Sequence, residues 1–218
     1  MNFTPGLKTI ACIAMFAASQ FVASNAAASL IDFEQVADWT ELTPAGMSAS
    51  GYKLARGDGG NAGAFSFIIA GTGDNTGLSG NGSTRLVNFN GASVTLSAAN
   101  QGAFDLFSFD GGESWFGDEH FWADRISVVG TLAGGGTVTQ TFYLDLVKHA
   151  VSGMQTFTLD ASFRRLLSVT FSGIGGNPEF SIDNISVKAV PEPASGVLLL
   201  LGAAGIAAVR RRRTMQTA

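Results

Sequence analysis

The chain has 218 residues, 46% of them apolar, and a formal net charge of −4 at pH 7. This composition excludes a disordered chain, and the length allows one sizeable domain with accessory segments. The 28 glycines favour a turn-rich β-protein.

Charge is unevenly distributed along the chain. Residues 29–189 include 16 acidic and 8 basic residues, a balance of −8, whereas Lys8 and four consecutive arginines lie outside this region. An acidic surface repels nucleic acid and anionic polymers and attracts cations such as calcium. The charge pattern therefore excludes a nucleic-acid-binding protein.

The first residues, Met1–Ala28, have the pattern of a secretory signal peptide. Lys8 gives a weakly basic start, residues 10–22 are mostly apolar, and ASNAAAS offers small-residue cleavage sites after Ala26 or Ala28. The alternative is an uncleaved amino-terminal anchor, but the apolar core is shorter than the roughly 20 residues that span a bilayer. The single cysteine of the chain lies within this segment. The exported part therefore has no cysteine for a disulfide bond, and its folded state must be stabilised by its hydrophobic core or by a metal ion.

In the region that follows, apolar and polar residues alternate with a period of two, and Gly-, Asn- and Asp-rich turns interrupt the alternation. This pattern predicts β-strands. Val138, Phe142 and Leu144 alternate with polar neighbours, as in a strand with one buried face. Gly134–Gly136 predict a hairpin turn with positive φ angles. The eleven predicted strands span residues 29–34, 52–54, 64–70, 84–89, 93–97, 104–109, 125–132, 137–144, 155–159, 167–172 and 180–187.

Short strands joined by turns, with no amphipathic helix among them, favour two packed antiparallel sheets. The predicted fold class is an all-β, jelly-roll-like sandwich. The predicted organisation is a signal peptide at residues 1–28, a sandwich at 29–189 and a carboxyl-terminal segment at 190–218.

An aromatic stretch, DGGESWFGDEHFWADR, lies between the predicted strands at 104–109 and 125–132. Aromatic side chains can stack on sugar rings while neighbouring carboxylates accept hydrogen bonds from hydroxyl groups. The alternative is that the loop folds back and its aromatic side chains cap an open end of the sandwich. The residues of this candidate ligand loop are Trp115, Phe116, His120, Phe121 and Trp122.

Motifs of catalysis are missing from the sequence. It has only two histidines and neither a G-x-S-x-G nor an H-E-x-x-H motif. Glycoside hydrolysis needs only two carboxylates, and Glu113 and Glu119 are candidates, but every acidic domain offers such pairs. We therefore predict no enzyme and name no catalytic residue.

Two segments carry a first resemblance, Ile31–Trp39 (IDFEQVADW) and Phe180–Val187 (FSIDNISV). They resemble the first and last strands of galactose-binding-like jelly rolls, the fold of many carbohydrate-binding modules. The resemblance implies that the two terminal strands lie close together and that Glu34 and Asp183 share a structural Ca²⁺ ion. Calcium takes about six to eight oxygen ligands, so carbonyls or other side chains would complete the shell. The alternative is two exposed carboxylates at sheet ends.

The segment VPEPASGVLLLLGAAGIAAVRRRR carries a second resemblance. Pro191, Glu192 and Pro193 are followed by the uncharged residues 194–209 and then by Arg210, Arg211, Arg212 and Arg213. This order resembles the PEP-CTERM sorting signal, which is also labelled an ice-binding-protein carboxyl-terminal domain without implying ice binding. The resemblance implies a bacterial exported protein that a membrane-embedded exosortase recognises. Such proteins are typically encoded alongside exopolysaccharide and biofilm functions.

Elementary physics is consistent with a membrane-bound stage. As a helix, the sixteen residues 194–209 would be about 24 Å long. This is shorter than the hydrocarbon core of a bilayer, about 30 Å, but local thinning of the bilayer can make up the difference. By the positive-inside rule the four arginines should stay cytoplasmic, which leaves the β-domain outside. We expect a protein held first in the inner membrane and then sorted to the cell envelope or the extracellular space. The alternative is a plain anchor without processing.

Three functions remain open from the sequence. The leading hypothesis is a structural or interaction protein of the envelope or extracellular matrix, linked to exopolysaccharide or biofilm. The second is a carbohydrate-binding module, and the third is a glycoside hydrolase. The expected partners are exosortase, the inner membrane and extracellular polysaccharide.

Overall fold

A computed structural model describes residues 27–57, 63–69, 79–114, 123–147, 149, 151–176, 178–191, 202 and 205. The chain divides into two units, of which one is Ala26–Val190 and the other comprises Met1–Asn25 and Pro191–Ala218. Within the described part of the first unit, the regular structure consists of antiparallel β-strands. The thirteen strands are β1 (Ala28–Ile31), β2 (Thr40–Glu41), β3 (Met47–Ala49), β4 (Tyr52–Gly57), β5 (Phe65–Ile69), β6 (Arg85–Phe89), β7 (Ser93–Ala98), β8 (Phe104–Glu113), β9 (Arg125–Leu132), β10 (Thr137–Tyr143), β11 (Met154–Thr158), β12 (Leu166–Ile174) and β13 (Phe180–Ala189).

The strands form two layers. The first sheet has the order β2-β5-β6-β13-β8-β11, with β1 beside the second half of β13. The second sheet has the order β3-β4-β7-β12-β9-β10. The two sheets are joined by one ladder pair, Leu166 with Phe104. This arrangement confirms the predicted all-β, antiparallel sandwich.

The core lies between the two sheets because alternate residues of each strand point inward. In β9 the inward residues Ile126 and Val128 are fully buried, while their neighbours are half-exposed. Phe109 of the first sheet packs edge-on against Phe142 and Phe171 of the second sheet, with ring centroids 5.4 and 5.2 Å apart. Apolar burial of this kind is the main stabilising term in a domain without disulfides.

The first and last strands lie side by side, as the jelly-roll resemblance implies. β1 pairs antiparallel with β13, from Ala28 opposite Lys188 to Ile31 opposite Ile185. Just beyond β13, the backbone N–H of Val190 donates to the carbonyl oxygen of Ala103 at 2.8 Å. Because β1 begins at Ala28, signal-peptide cleavage after Ala26 would leave this strand complete, whereas cleavage after Ala28 would remove its first residue.

All eleven predicted strands are present, with shifted ends. β1 ends at Ile31 and not at residue 34, because Phe33 adopts a left-handed backbone with φ of 58°. β2 and β3 were not predicted, since two or three residues cannot show a period. The predicted hairpin joins β9 to β10, with positive φ angles at Gly135 and Gly136. The same expectation for Gly134 was wrong.

Candidate functional site

Glu34 and Asp183, the predicted calcium ligands, contact the same short segment before β6. The Glu34 carboxylate accepts the backbone N–H of Thr84 at 2.9 Å and the Thr84 hydroxyl at 3.2 Å. Asp183 Oδ2 accepts the Asn81 side-chain amide at 2.9 Å and the hydroxyl of Ser83. The pairing of β1 with β13 brings the two acidic residues to this segment, although they lie far apart in sequence.

Asp183 is completely buried on the outer side of the first sheet. No well-aligned hydrogen bond from the described residues reaches its second carboxylate oxygen, Oδ1, although the backbone N–H of Asn184 lowers the pKa of the carboxylate. Asp110 lies opposite it on β8, where the Thr156 hydroxyl and the Asn184 amide hold the Asp110 carboxylate at 2.6 and 2.8 Å. Burial raises the pKa of Asp183 to about 6, Asp110 adds to the rise, and the hydrogen bonds from Ser83 and Asn81 oppose it.

A buried cation interacts electrostatically with this carboxylate. Arg85, the first residue of β6, is fully buried, and burial lowers the pKa of its guanidinium group. The negative charges of Asp183 and Asp38 partly offset this shift. The positive charge of Arg85 therefore interacts with Asp183 through space.

The surroundings of Asp183 are rich in oxygen, which suits a hard cation such as Ca²⁺. Carboxylates, hydroxyls and an amide converge there from the turn after β1, from β13 and from the segment 81–84. Among the described residues, no three or more His, Cys, Asp and Glu side chains are arranged to hold a metal ion. A calcium shell at Glu34 and Asp183 would thus depend on hydroxyl, amide or carbonyl oxygens.

The candidate ligand loop, Trp115, Phe116, His120, Phe121 and Trp122, lies outside the described residues. On its two sides, Ser79 N–H donates to the Ser114 carbonyl at 2.6 Å, and Ala123 N–H donates to the Glu179 carbonyl at 2.7 Å.

Glu113 and Glu119 were the candidate pair for glycoside hydrolysis. Glu113 is fully buried at the end of β8, and its Oε1 accepts the backbone N–H of Leu146 at 2.6 Å. This contact holds Leu146 in a left-handed backbone conformation with φ of 63°. The observed contact of Glu113 is structural, and Glu119 lies outside the described residues.

An aromatic surface that the sequence did not predict lies on the outer side of β5 and β6. Trp39 is 53% exposed, and its ring packs edge-on against Phe67 at 5.7 Å. Phe65 contacts Phe67 at 5.6 Å and stacks on Phe89 at 5.0 Å. We call these four residues the Trp39 surface. Its base is a small apolar cluster, separate from the main core, to which the buried Phe89 belongs and against which Phe65 and Phe67 pack.

The turn that presents Trp39 is conformationally unusual. Trp39 has a positive φ of 57°, which is rare for a bulky residue, and its N–H donates to the Asp38 carboxylate at 3.0 Å. Thr40 closes the turn by donating its hydroxyl to the Ala37 carbonyl at 2.6 Å. Two residues after the tryptophan, Glu41 is half-exposed and forms an ion pair with Arg56 at 3.8 Å. The turn therefore displays an indole ring next to hydrogen-bonding groups.

The sorting segment begins where the last strand ends. Pro191 is exposed directly after Val190. Gly202 and Gly205 are helical, whereas Glu192, Pro193, Arg210, Arg211, Arg212 and Arg213 lie outside the described residues. In the part of the chain that the structure describes, no helix has the length and apolarity needed to span a membrane.

Comparison with known proteins identifies this segment. Residues 189–213 match the PEP-CTERM protein-sorting motif, so the chain carries a sorting motif that begins at the last residue of β13. The motif indicates an exported protein that is anchored in a membrane before processing. No protein of curated function matches the chain.

Distant structural similarities extend over the β-domain. A mutant of a family 29 carbohydrate-binding module complexed with cellulohexaose is 14% identical, with a TM-score of 0.39; 76% of this chain and 92% of that chain are covered. A mutant of the same module complexed with mannohexaose is 14% identical, with a TM-score of 0.39, covering 75% and 92%. An F5/8 type C domain from Bacteroides fragilis is 9% identical, with a TM-score of 0.41, covering 70% and 99%. These similarities are too distant to assign a ligand to this chain.

The raised pKa of Asp183 predicts a pH-dependent stability of the ectodomain (residues 27–190) in the presence of a chelator. The pKa is about 6 in the folded state against 3.8 in the unfolded state. The stabilising protonation is therefore fully present below pH 4 and is lost as the pH rises through 6, with an effect on the order of 3 kcal/mol. Asp183→Asn should not show this loss, so the stability of the wild type relative to the variant should fall between pH 4 and 7.

Urea unfolding across this pH range measures the difference. Asp160→Asn is the control. Asp160 is exposed, and hydrogen bonds from Ser162 lower its pKa, so this substitution should not reproduce the effect of Asp183→Asn. Parallel pH curves for the wild type and Asp183→Asn would contradict the prediction.

Proposed function

We propose that the protein is an exported component of the bacterial envelope or extracellular matrix, delivered by an exosortase, with a structural or interaction role linked to exopolysaccharide or biofilm. The observation that carries this proposal is the sorting motif at residues 189–213. The matched region starts at Ala189, the last residue of β13, so the Pro-Glu-Pro sequence follows directly after the end of the sandwich. The chain would then pass through an inner-membrane stage with the sandwich outside the cytoplasm.

The start of the motif supports access by a processing enzyme. Val190 is still hydrogen-bonded to Ala103, whereas Pro191 is exposed. Proline has no backbone N–H and fixes φ, so Pro191 and Pro193 disfavour a helix that continues into the domain. Glu192 would be presented in an extended segment between the folded sandwich and the membrane.

Glu192→Ala should block processing in a native host with an active exosortase. The substitution removes the only charge of the Pro-Glu-Pro motif and leaves the apolar segment and the four arginines unchanged. We expect the variant to keep its carboxyl terminus and stay in the inner membrane, as the wild type should in a strain without exosortase. Mass spectrometry of the envelope fractions reads out the terminus.

Glu179→Gln is not a suitable control, because Glu179 is buried in the sandwich. Asp145→Ala is better, since it removes one exposed charge elsewhere in the domain. An intact 210–218 terminus on mature wild-type protein would contradict the sorting proposal and leave a plain membrane anchor.

A carbohydrate-binding function is the second candidate, and the Trp39 surface favours it. Half-exposed indole rings stack on the apolar faces of sugar rings, and nearby carboxylates and guanidinium groups form hydrogen bonds with sugar hydroxyls. Trp39 supplies the ring, while Glu41 and Arg56 supply the hydrogen-bonding groups. The left-handed backbone at Trp39 is a strained conformation of the kind found at ligand sites.

Trp39→Ala should weaken polysaccharide binding at least tenfold, because the stacking surface is removed. Affinity electrophoresis and a glycan array measure the effect. Tyr143→Ala is the matched control, since Tyr143 is also an exposed aromatic residue, 71% accessible, but lies on β10 in the other sheet. Loss of binding in Trp115→Ala or Trp122→Ala but not in Trp39→Ala would assign the site to the aromatic loop and contradict the Trp39 surface.

Calcium at Glu34 and Asp183 is a further part of the proposal. Its support is the convergence of both carboxylates on residues 83–84 and the unpaired Oδ1 of Asp183 among the described residues. A shared ion would connect the first and last strands and stabilise the folded state by mass action.

The ectodomain should then melt at a higher temperature in calcium than in chelator. Asp183→Asn should abolish this difference and Glu34→Gln should reduce it, whereas Asp124→Asn, which alters an exposed carboxylate, should preserve it. Equal melting curves of the wild type with calcium and with chelator would contradict the calcium site.

A further inference from the structure

The strands at the two edges of the sandwich differ in length. The edge strands β2 and β3 have only two and three residues. At the opposite edge, β10 has seven residues and, among the described strands, pairs only with β9. A long edge strand exposes a row of unpaired backbone groups that can pair with another chain, and proteins usually shorten or charge such edges.

The hairpin turn determines which backbone groups of β10 point outward. The N–H of Leu132 donates to the Gly136 carbonyl at 3.0 Å, and Gly135 N–H donates back to Leu132 at 3.0 Å. Since hydrogen-bonded and non-hydrogen-bonded pairs alternate in an antiparallel ladder, Val138, Gln140 and Phe142 bond to β9. The N–H and C=O groups of the remaining β10 residues point away from β9. These outward residues are Thr137, Thr139, Thr141 and Tyr143.

This outward row is accessible and uncharged. The four side chains are exposed, and within the described residues no hydrogen bond reaches their outward backbone groups. The strand sequence TVTQTFY contains no charged residue, no proline and no glycine. The sequence of β10 therefore lacks the charges, proline and glycine that commonly block edge-to-edge pairing, and no described strand covers its outer edge.

We propose that β10 pairs antiparallel with β10 of a second copy of this chain about a two-fold axis, which extends the second sheet across both copies. The outward residues are symmetric about Gln140, so Thr139 would face Thr141 of the second copy and Thr137 would face Tyr143. Such a self-complementary contact is the requirement of a two-fold interface. This proposal goes beyond the proposed function and depends on neither the sorting motif nor a glycan.

Charge favours a second copy at this edge over a contact elsewhere on the domain. Residues 29–189 carry a balance of −8, so two copies repel each other in general. An uncharged strand lets two copies approach without placing like charges in contact. Cross-strand threonine pairs and pairs of threonine with an aromatic residue are also favourable neighbours in antiparallel sheets.

Cysteine cross-linking of the full chain in detergent tests the pairing and its register. All chains carry Cys12→Ser, and chains with Thr139→Cys and with Thr141→Cys bear tags of different size. Because these positions face each other at about 5.5 Å between Cα atoms in the proposed register, mild oxidation of the mixture should give a mixed disulfide dimer. Each variant alone should give at least fivefold less dimer, because its cysteines are diagonal neighbours.

Thr131→Cys is the matched control. Thr131 is equally exposed, but it lies on β9, whose two sides are already paired with β10 and β12. Adding Thr137→Lys to both cysteine chains places a charge on the uncharged edge strand and should lower the dimer yield. Circular dichroism checks that these chains still fold. Adding Tyr143→Pro removes an outward N–H and should lower the dimer yield.

Two results would overturn the proposal. One is a mixed dimer yield no higher than that of Thr131→Cys in folded protein, and the other is a yield as high with Thr139→Cys alone, which indicates a different register or random collision. A mixed dimer that Tyr143→Pro does not diminish would also count against backbone pairing at this edge.

Discussion

The fold depends above all on the hydrogen bonding of β13 along both of its edges. Its first half pairs with β6 and its second half with β1, while β8 follows most of its other edge. A strand in this position has its inward residues in the core, and Phe180, Ile182 and Val187 are fully buried. Since β13 is also the last strand, the domain can close only after nearly all of it has been synthesised.

The same strand determines the electrostatics of the outer side. The inward-facing residues of β13 continue beyond Asn184. Asn184 has a positive φ of 48° and lies at a break in the pairing with β8, between Asp183 and Ser186. Asp183 points outward before this irregularity and is still buried, and its charge interacts with the buried Arg85. A carboxylate and a guanidinium removed from water lose hydration, and their mutual attraction offsets part of that loss. The hydrogen bonds from Asn81 and Ser83 to Asp183 connect the segment before β6 to the last strand.

The sequence predicted the elements that are long enough to show alternation. β9 and β10 were predicted almost to the residue, because their inward apolar residues recur with a period of two and a glycine turn separates them. β8 continues past the predicted end at residue 109 through Gly111 and Gly112 to Glu113, since glycine interrupts the pattern without ending the pairing. β2 was missed because its two residues are defined only by pairing with β5.

The candidate sites were predictable to different degrees. The approach of Glu34 and Asp183 to one segment followed from a resemblance of the terminal strands, but their partners Ser83 and Thr84 carry no signal in the sequence. Trp39 was visible in the sequence as the end of a predicted strand motif. Its exposure could not be predicted, because it depends on the left-handed turn and on the distant Phe67.

The central position of the last strand has a mechanical consequence. If the chain is held through the segment after Val190 while the far end of the sandwich is pulled, the load runs along the axis of β13. The hydrogen bonds to β8, β6 and β1 lie across that axis on both sides. They are therefore loaded together in shear and do not open one after another, as they would in a strand peeled from a sheet edge. A pull through the segment after Val190 is therefore resisted by all of these hydrogen bonds at once.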